Sequence, residues 1–263
     1  MSRVSARLFV FVLLTGVFSA CAGEVPIVEV AGECGDVFDG QICTWARMQG
    51  DTVVDLGATV PIASIESAPA GVMPAWPPVP EAVLSLPAEA QARTGLTELT
   101  VFWEAMGHPP ATYMTPHFDF HFYSVSADER MAISCADLSK PSDPPAGYSL
   151  PDVDLPPEMA DAIGVSTLIG LCVPEMGMHA LPSDEIDDTD PFGGTMVVGY
   201  SAGSPIFIEP MISQAMLMEQ SAFGLPVPSV PGAGDGYPTT FLAEYDAEQR
   251  AYRFVFSGFA PGN

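Results

Sequence analysis

The chain has 263 residues, with 33 Asp+Glu against 8 Lys+Arg, a formal net charge of −25 and 48% apolar residues. That length and apolar content are enough to bury a substantial core, and they exclude a disordered acidic tail. The charge excludes general nucleic-acid binding, which needs clustered Lys and Arg to neutralise phosphates; Lys140 is the only lysine.

Residues 1–21 read as an export signal. Arg3 and Arg7 form a basic start, and Leu8 to Leu14 form an apolar run too short for a stable anchor. Phe18-Ser19-Ala20-Cys21 resembles a lipobox, with Phe18 where an aliphatic residue is usual, and Ala20-Cys21-Ala22 also fits an ordinary signal-peptidase site. The expected organisation is a signal peptide over 1–20, a tether over 21–29 lipidated at Cys21 and held to a membrane, and a single β-rich domain over 30–260. Processing removes two of the 8 basic residues and no acids, so 33 acids then face six bases and the charge becomes −27. No later segment is long and apolar enough to span a membrane.

Without Cys21, four cysteines are left, an even number that suits disulfides in an oxidising compartment. Cys34 and Cys43 flank the turn signal Asp39-Gly40, which favours a local bridge and leaves Cys135 to pair with Cys172. A cysteine metal site is the alternative, although no C-x-x-C occurs.

Short apolar runs separated by Pro and Gly dominate the rest. Thr52–Leu56, Leu99–Trp103, Phe118–Val125, Met196–Tyr200, Ile206–Ile208 and Tyr252–Phe256 predict strands. Pro80–Arg93, Pro157–Ile163 and Ser213–Gln220 predict short helices. Pro141–Pro157 and Pro226–Gly236 read as ordered surface loops. The fold class is mainly β, a sandwich or barrel-like domain with a few short helices; α+β is the alternative.

The acid-rich run Asp184–Asp190 admits a calcium site, but the spacing and closing Glu of an EF-hand are missing, and a solvated loop is the preferred reading. Gly199-Tyr200-Ser201-Ala202-Gly203 matches the G-x-S-x-G elbow of serine hydrolases. That chemistry needs a helix after the serine and a later histidine. Ser204–Ile208 is strand-like and every histidine precedes residue 180, so the stretch reads as a hairpin.

The four histidines fall in three patches: Glu104–Pro110 with His108, Pro116–Tyr123 with His117 and His121, and Pro174–His179 with His179. On a strand, alternate residues share a face. His117, Asp119 and His121 then share one face, and Phe118, Phe120 and Phe122 the other. Residues four apart on a strand are separated by about 13 Å, so one ion takes Asp119 with one of the two histidines unless a bulge or a second site intervenes. His179 and His108 sit in rigid turns, and Glu209 shares a strand face with Phe207. The candidate metal ligands are therefore His108, His117, Asp119, His121, His179 and Glu209. Such a set suits Zn, Fe, Mn or Cu, and Met106, Met176 and Met178 raise copper as an option. Asp119 orienting a histidine in a buried polar network is the competing reading.

The blocks Gly107-His108-Pro109-Pro110, Pro116–Tyr123 (PHFDFHFY), Met176-Gly177-Met178-His179 and Glu209-Pro210-Met211, in that order, resemble a family of exported bacterial proteins carrying a domain of unknown function. Trp45, Asp55-Leu56-Gly57 and Leu86-Pro87 fit the family's N-terminal part. The resemblance covers roughly residues 40–256 and departs at Ala180, where an aromatic residue often stands. It implies export, a β-rich fold and homo-oligomers rather than a particular reaction. Three functions follow as expectations: an exported metal-binding lipoprotein, a metal-dependent enzyme (cupin-like or hydrolase), or a homo-oligomeric structural module with a buried histidine network.

Overall fold

The computed structural model describes residues 25–71, 75–186, 188, 190 and 192–259. The expected signal peptide and Cys21 lie outside the described residues. β1 (Ile27–Val37), β2 (Gly40–Gln49) and β3 (Thr52–Pro61) form a meander that runs into α1 (Ile62–Glu66). Next come β4 (Ala82–Ser85), α2 (Ala88–Thr94), β5 (Glu98–Glu104), β6 (His117–Tyr123) and α3 (Ala127–Met131). β7 (Tyr148–Ser149), β8 (Val153–Asp154), α4 (Pro157–Ile163) and β9 (Thr167–Leu168) follow. β10 (Met178–Pro182), β11 (Gly194–Ser201), β12 (Ser204–Ser213), α5 (Gln214–Met218), β13 (Phe223–Leu225), β14 (Thr240–Asp246) and β15 (Ala251–Ser257) complete the order.

These strands build two open antiparallel sheets. The first runs β1-β2-β3-β15-β14-β13 and the second β4-β5-β6-β12-β11-β10-β7; β8 and β9 form a separate ribbon. Among the described residues both sheets keep free edges, so the fold is a mainly β sandwich rather than a barrel. One core lies between them. Phe120 packs on Phe254 with ring centroids 4.9 Å apart, and Phe122 on Phe256 at 5.0 Å. Each such ring contributes about 1.5–3 kcal/mol by leaving water.

The alternation on β6 therefore has its phenylalanines in the core, as the period of two requires. Its opposite face is also buried, because the segments between β5 and β6 and between β6 and β11 fold over it. A second apolar cluster joins that cover, with Tyr113, Leu168 and Leu171, to sheet residues Leu181, Val197 and Phe207.

Several local details differ from the sequence reading. β1 begins at Ile27, opposite Gln49, so the last residues of the expected tether belong to the sheet. Pro80–Arg93 is not one helix: Ala82–Ser85 pairs with Glu98–Val101, and α2 starts only at Ala88. Pro87 holds Leu86 to extended backbone, which stops a helix running through it, and the free edge of β5 recruits the strand. Glu185 in the acidic loop is half-buried; its carboxylate accepts hydrogen bonds from Tyr113 Oη at 2.9 Å and Thr195 Oγ1 at 3.0 Å.

The G-x-S-x-G stretch is the β11–β12 hairpin. Ser201 pairs with Ser204 across a turn in which Ala202 and Gly203 have φ of 48° and 78°. Positive φ at both central residues is the turn whose twist matches a hairpin. Two disulfides, Cys34–Cys43 across β1 and β2 and Cys135–Cys172 in the cover, point to a non-cytoplasmic compartment. Among the described residues, no helix is long and apolar enough to cross a membrane.

Candidate metal centre

β6 is central in its sheet, between β5 and β12. Its register places His117 opposite Glu104, His121 opposite Thr100, and Asp119 opposite Phe102 on β5 and Met211 on β12. The same register sets Glu209 beside His121. β10 joins at the far side of β11, with His179 opposite Gly199, which in turn faces Phe207. Directly opposed residues share a face, so three strands deliver chemistry to one surface.

The six candidate ligands gather into two triads. His108, His117 and Asp119 form one; His121, His179 and Glu209 form the other; within each, one potential ligand atom per residue lies within 4.8 Å of the others. In the first triad His117 Nε2 is 3.3 Å from Asp119 Oδ1, and His108 Nε2 is 3.9 Å from Asp119 Oδ2. In the second, His121 Nε2 is 3.3 Å from Glu209 Oε2. Asp119 thus joins His117, and the distance limit along the strand is met by two groups rather than one.

Backbone carbonyls fix three of the four rings. Nδ1 of His108, His117 and His179 faces the carbonyl oxygens of Pro109, Thr115 and Leu171 at 2.9, 2.7 and 2.9 Å. A carbonyl only accepts, so each Nδ1 carries a hydrogen and donates it. In a neutral ring Nε2 is then a lone pair, the arrangement found in metal-ligating histidines. Among the described residues, His117 Nε2, Asp119 Oδ1, both ring nitrogens of His121 and Glu209 Oε2 are buried without a hydrogen-bond partner. Lone pair facing lone pair in a dry site is costly, and a cation or a proton between them removes the cost.

The electrostatics show where protons sit without an ion. Burial opposes a charge on His117, yet Asp119 beside it, the Thr115 carbonyl and Glu104 outweigh burial and raise its pKa. Burial also works against Asp119, but His117 and His108 hold its carboxyl down at about 2. The first triad therefore favours a His117–Asp119 ion pair. In the second, burial pushes His121 down to about 3 and Glu209 well above the usual carboxylate range, with Asp119 and Glu104 adding to the latter. Its proton belongs on Glu209. Burial depresses His179 too, and burial with the neighbouring His117 takes His108 to about 4.

The two triads differ in enclosure. His121 is walled by Phe207 at 4.6 Å, Phe102 at 5.2 Å and the stacked Tyr123 ring at 5.7 Å. Phe207 also touches His179 at 5.3 Å. It reaches there by lying across Gly199, where any side chain would occupy the ring's position. His108 instead keeps 28% of its side chain exposed. Its loop depends on Gly107, whose φ of 70° and contact with the Tyr113 carbonyl leave no room for a side chain.

Glu104 is the acid that the motifs missed. It is buried opposite His117, and burial, aided by Asp119 and opposed by His117, pushes it up to about 8. It lies opposite His117 only through the register of β5 on β6, across a connection of residues 105–116 that carries no local pairing signal. The methionines do not assemble as ligands: Met106 is exposed, Met176 packs with Phe102 and Val173, and Met178 packs in a separate apolar cluster. No family model matches the chain, and no curated protein or solved structure matches it either.

Proposed function

We propose that the chain is an exported protein, lipid-anchored at Cys21, that binds a divalent first-row transition metal through its His/Asp/Glu face. One observation carries the reading. His121 Nε2 and Glu209 Oε2 face each other at 3.3 Å, both buried and both without a hydrogen-bond partner among the described residues. His179, its ring held by the Leu171 carbonyl, offers a ligand atom within 4.8 Å of both. Two imidazoles and a carboxylate are the donors of Zn²⁺ and of Fe²⁺ or Mn²⁺ centres, and Cu²⁺ also takes them. Burial of this triad favours holding an ion over turning over a substrate there.

The disulfides support export, and the acidic composition suits a soluble envelope protein. Elemental analysis of the purified mature protein tests the metal reading. At least one ion per chain is expected, with one fewer in His121→Ala. Metal-free protein whose melting temperature responds neither to chelator nor to added Zn²⁺ or Fe²⁺ overturns it. Metabolic labelling with palmitate, abolished by Cys21→Ala, tests the anchor.

A further inference from the structure

We propose that this face holds two ions in unequal centres: a closed one at His121, His179 and Glu209, and an open one at His108, His117 and Asp119 that binds a small monoanion from solution. The inference rests on the metal-binding reading and extends it. His117 and His121 are four residues apart on one strand face, about 13 Å between backbones. An ion sits about 2.0–2.2 Å from its N and O ligands, so one ion serves only one triad. Each triad is complete in the same way, with two imidazoles and one carboxylate.

What separates them is access. Three aromatic rings close around His121, and Phe207 spans from it to His179. The first triad ends at His108 in the β5–β6 loop, 28% exposed, between the surface residues Met106 and Met114. Three protein ligands with an open side is the arrangement that leaves a coordination position for an outside ligand. With both imidazoles neutral and Asp119 ionised, a divalent ion there keeps one positive charge, which a monoanion neutralises.

Cobalt(II) and azide provide the test. Chelator-stripped full-length mature protein is loaded with Co²⁺, counted by elemental analysis, and titrated with azide while the visible d–d bands are recorded. Two Co²⁺ per chain and an azide-dependent spectral change are expected. Asp119→Asn and His117→Ala each leave one Co²⁺ and no azide response. Glu209→Gln and His121→Ala each leave one Co²⁺ with the azide response intact. The carboxamide pair keeps side-chain volume, so it serves if the histidine variants do not fold. One Co²⁺ per wild-type chain, or an azide response that survives Asp119→Asn, overturns the two-centre proposal while metal binding stands. No Co²⁺ at all overturns the metal-binding reading itself.

Discussion

His117 and His121 project from the same face of one strand, yet each pairs with a different carboxylate: His117 with Asp119 two residues along, His121 with Glu209 on the neighbouring strand. The consequence is a distinct role for each acid. Glu209 is buried with its pKa well above the carboxylate range, chiefly because burial disfavours its charge. At pH 8 the unfolded chain ionises it and the folded metal-free chain resists, so it destabilises the fold. Glu209→Gln is expected to make the metal-free protein more stable at pH 8 by about 1–3 kcal/mol. The same variant loses the part of the metal-induced rise in melting temperature that the His121 centre supplies. Thermal melts with and without Zn²⁺ read both effects, which have opposite signs.

Affinity for metal should rise with pH. Binding displaces the proton on Glu209 in one triad and that on His117 in the other. Each proton displaced costs about tenfold in affinity per pH unit on the acid side of the group's pKa. On the acid side of the raised Glu209 pKa the dissociation constant of that centre is expected to tighten about tenfold per pH unit. Isothermal titration in buffers of different ionisation enthalpy counts the protons released; a pH-independent constant speaks against this assignment.

Much of this was legible in the sequence because it is local. The Phe and His/Asp alternation of β6 follows from the period of two, and the β11–β12 hairpin follows from Ala202-Gly203 between two apolar runs. The turns that precede His108 and His179 are also visible as Gly and Pro patterns. The division of four histidines into two triads was not legible. It depends on β12 pairing with β6 in a register that sets Glu209 beside His121, a contact between residues 88 positions apart. The strand at Ala82–Ser85 was missed for the same reason: a distant sheet edge overrides a local pattern. The sequence around Glu185 reads as a solvated loop because nothing local announces that Tyr113 and Thr195 will meet it.

The metal-free protein should lose stability as pH rises from 6.5 to 8. Glu104 is raised to about 8 by burial, so above 4.5 the folded chain holds a proton that the unfolded chain releases. Stability linked to this group is fully present below the unfolded value and is lost as pH climbs toward 8. His117, also raised, changes in the same direction above 6.5. His108 and His121, depressed to about 4 and 3, act only below 6.5, where the unfolded chain takes up protons first and stability falls with falling pH. Over pH 6.5–8 Glu104 alone accounts for about 2 kcal/mol. Chemical denaturation across this range is the measurement, and saturating metal should flatten the loss.

Phe207→Ala should uncouple metal retention from metal affinity. Removing a buried ring of this size costs about 3–5 kcal/mol. It leaves His121, His179 and Glu209 in place but takes away the wall that both imidazoles touch. Exchange of bound ion with an isotope in solution is expected to accelerate at least tenfold, with the number of ions per chain unchanged. Unaltered exchange means that Phe207 does not limit access.

The two disulfides should have separable effects on the site. Cys172 follows Leu171, whose carbonyl holds the His179 ring, and it is bridged to Cys135 across 37 positions. Opening that bridge releases loop entropy worth about 3–4 kcal/mol and frees the carbonyl that orients a ligand. Loss of such an orienting partner typically weakens metal binding about 10–100-fold. Cys34–Cys43 ties β1 to β2 in the opposite sheet and closes a loop of 9 positions, worth about 2–3 kcal/mol by the same reasoning. Cys135→Ser with Cys172→Ser should therefore lower both the melting temperature and the affinity of the His179 centre. Cys34→Ser with Cys43→Ser should lower the melting temperature alone. Equal metal affinity in the two double variants, measured by competition with a coloured chelator, removes Leu171 from the support of the site.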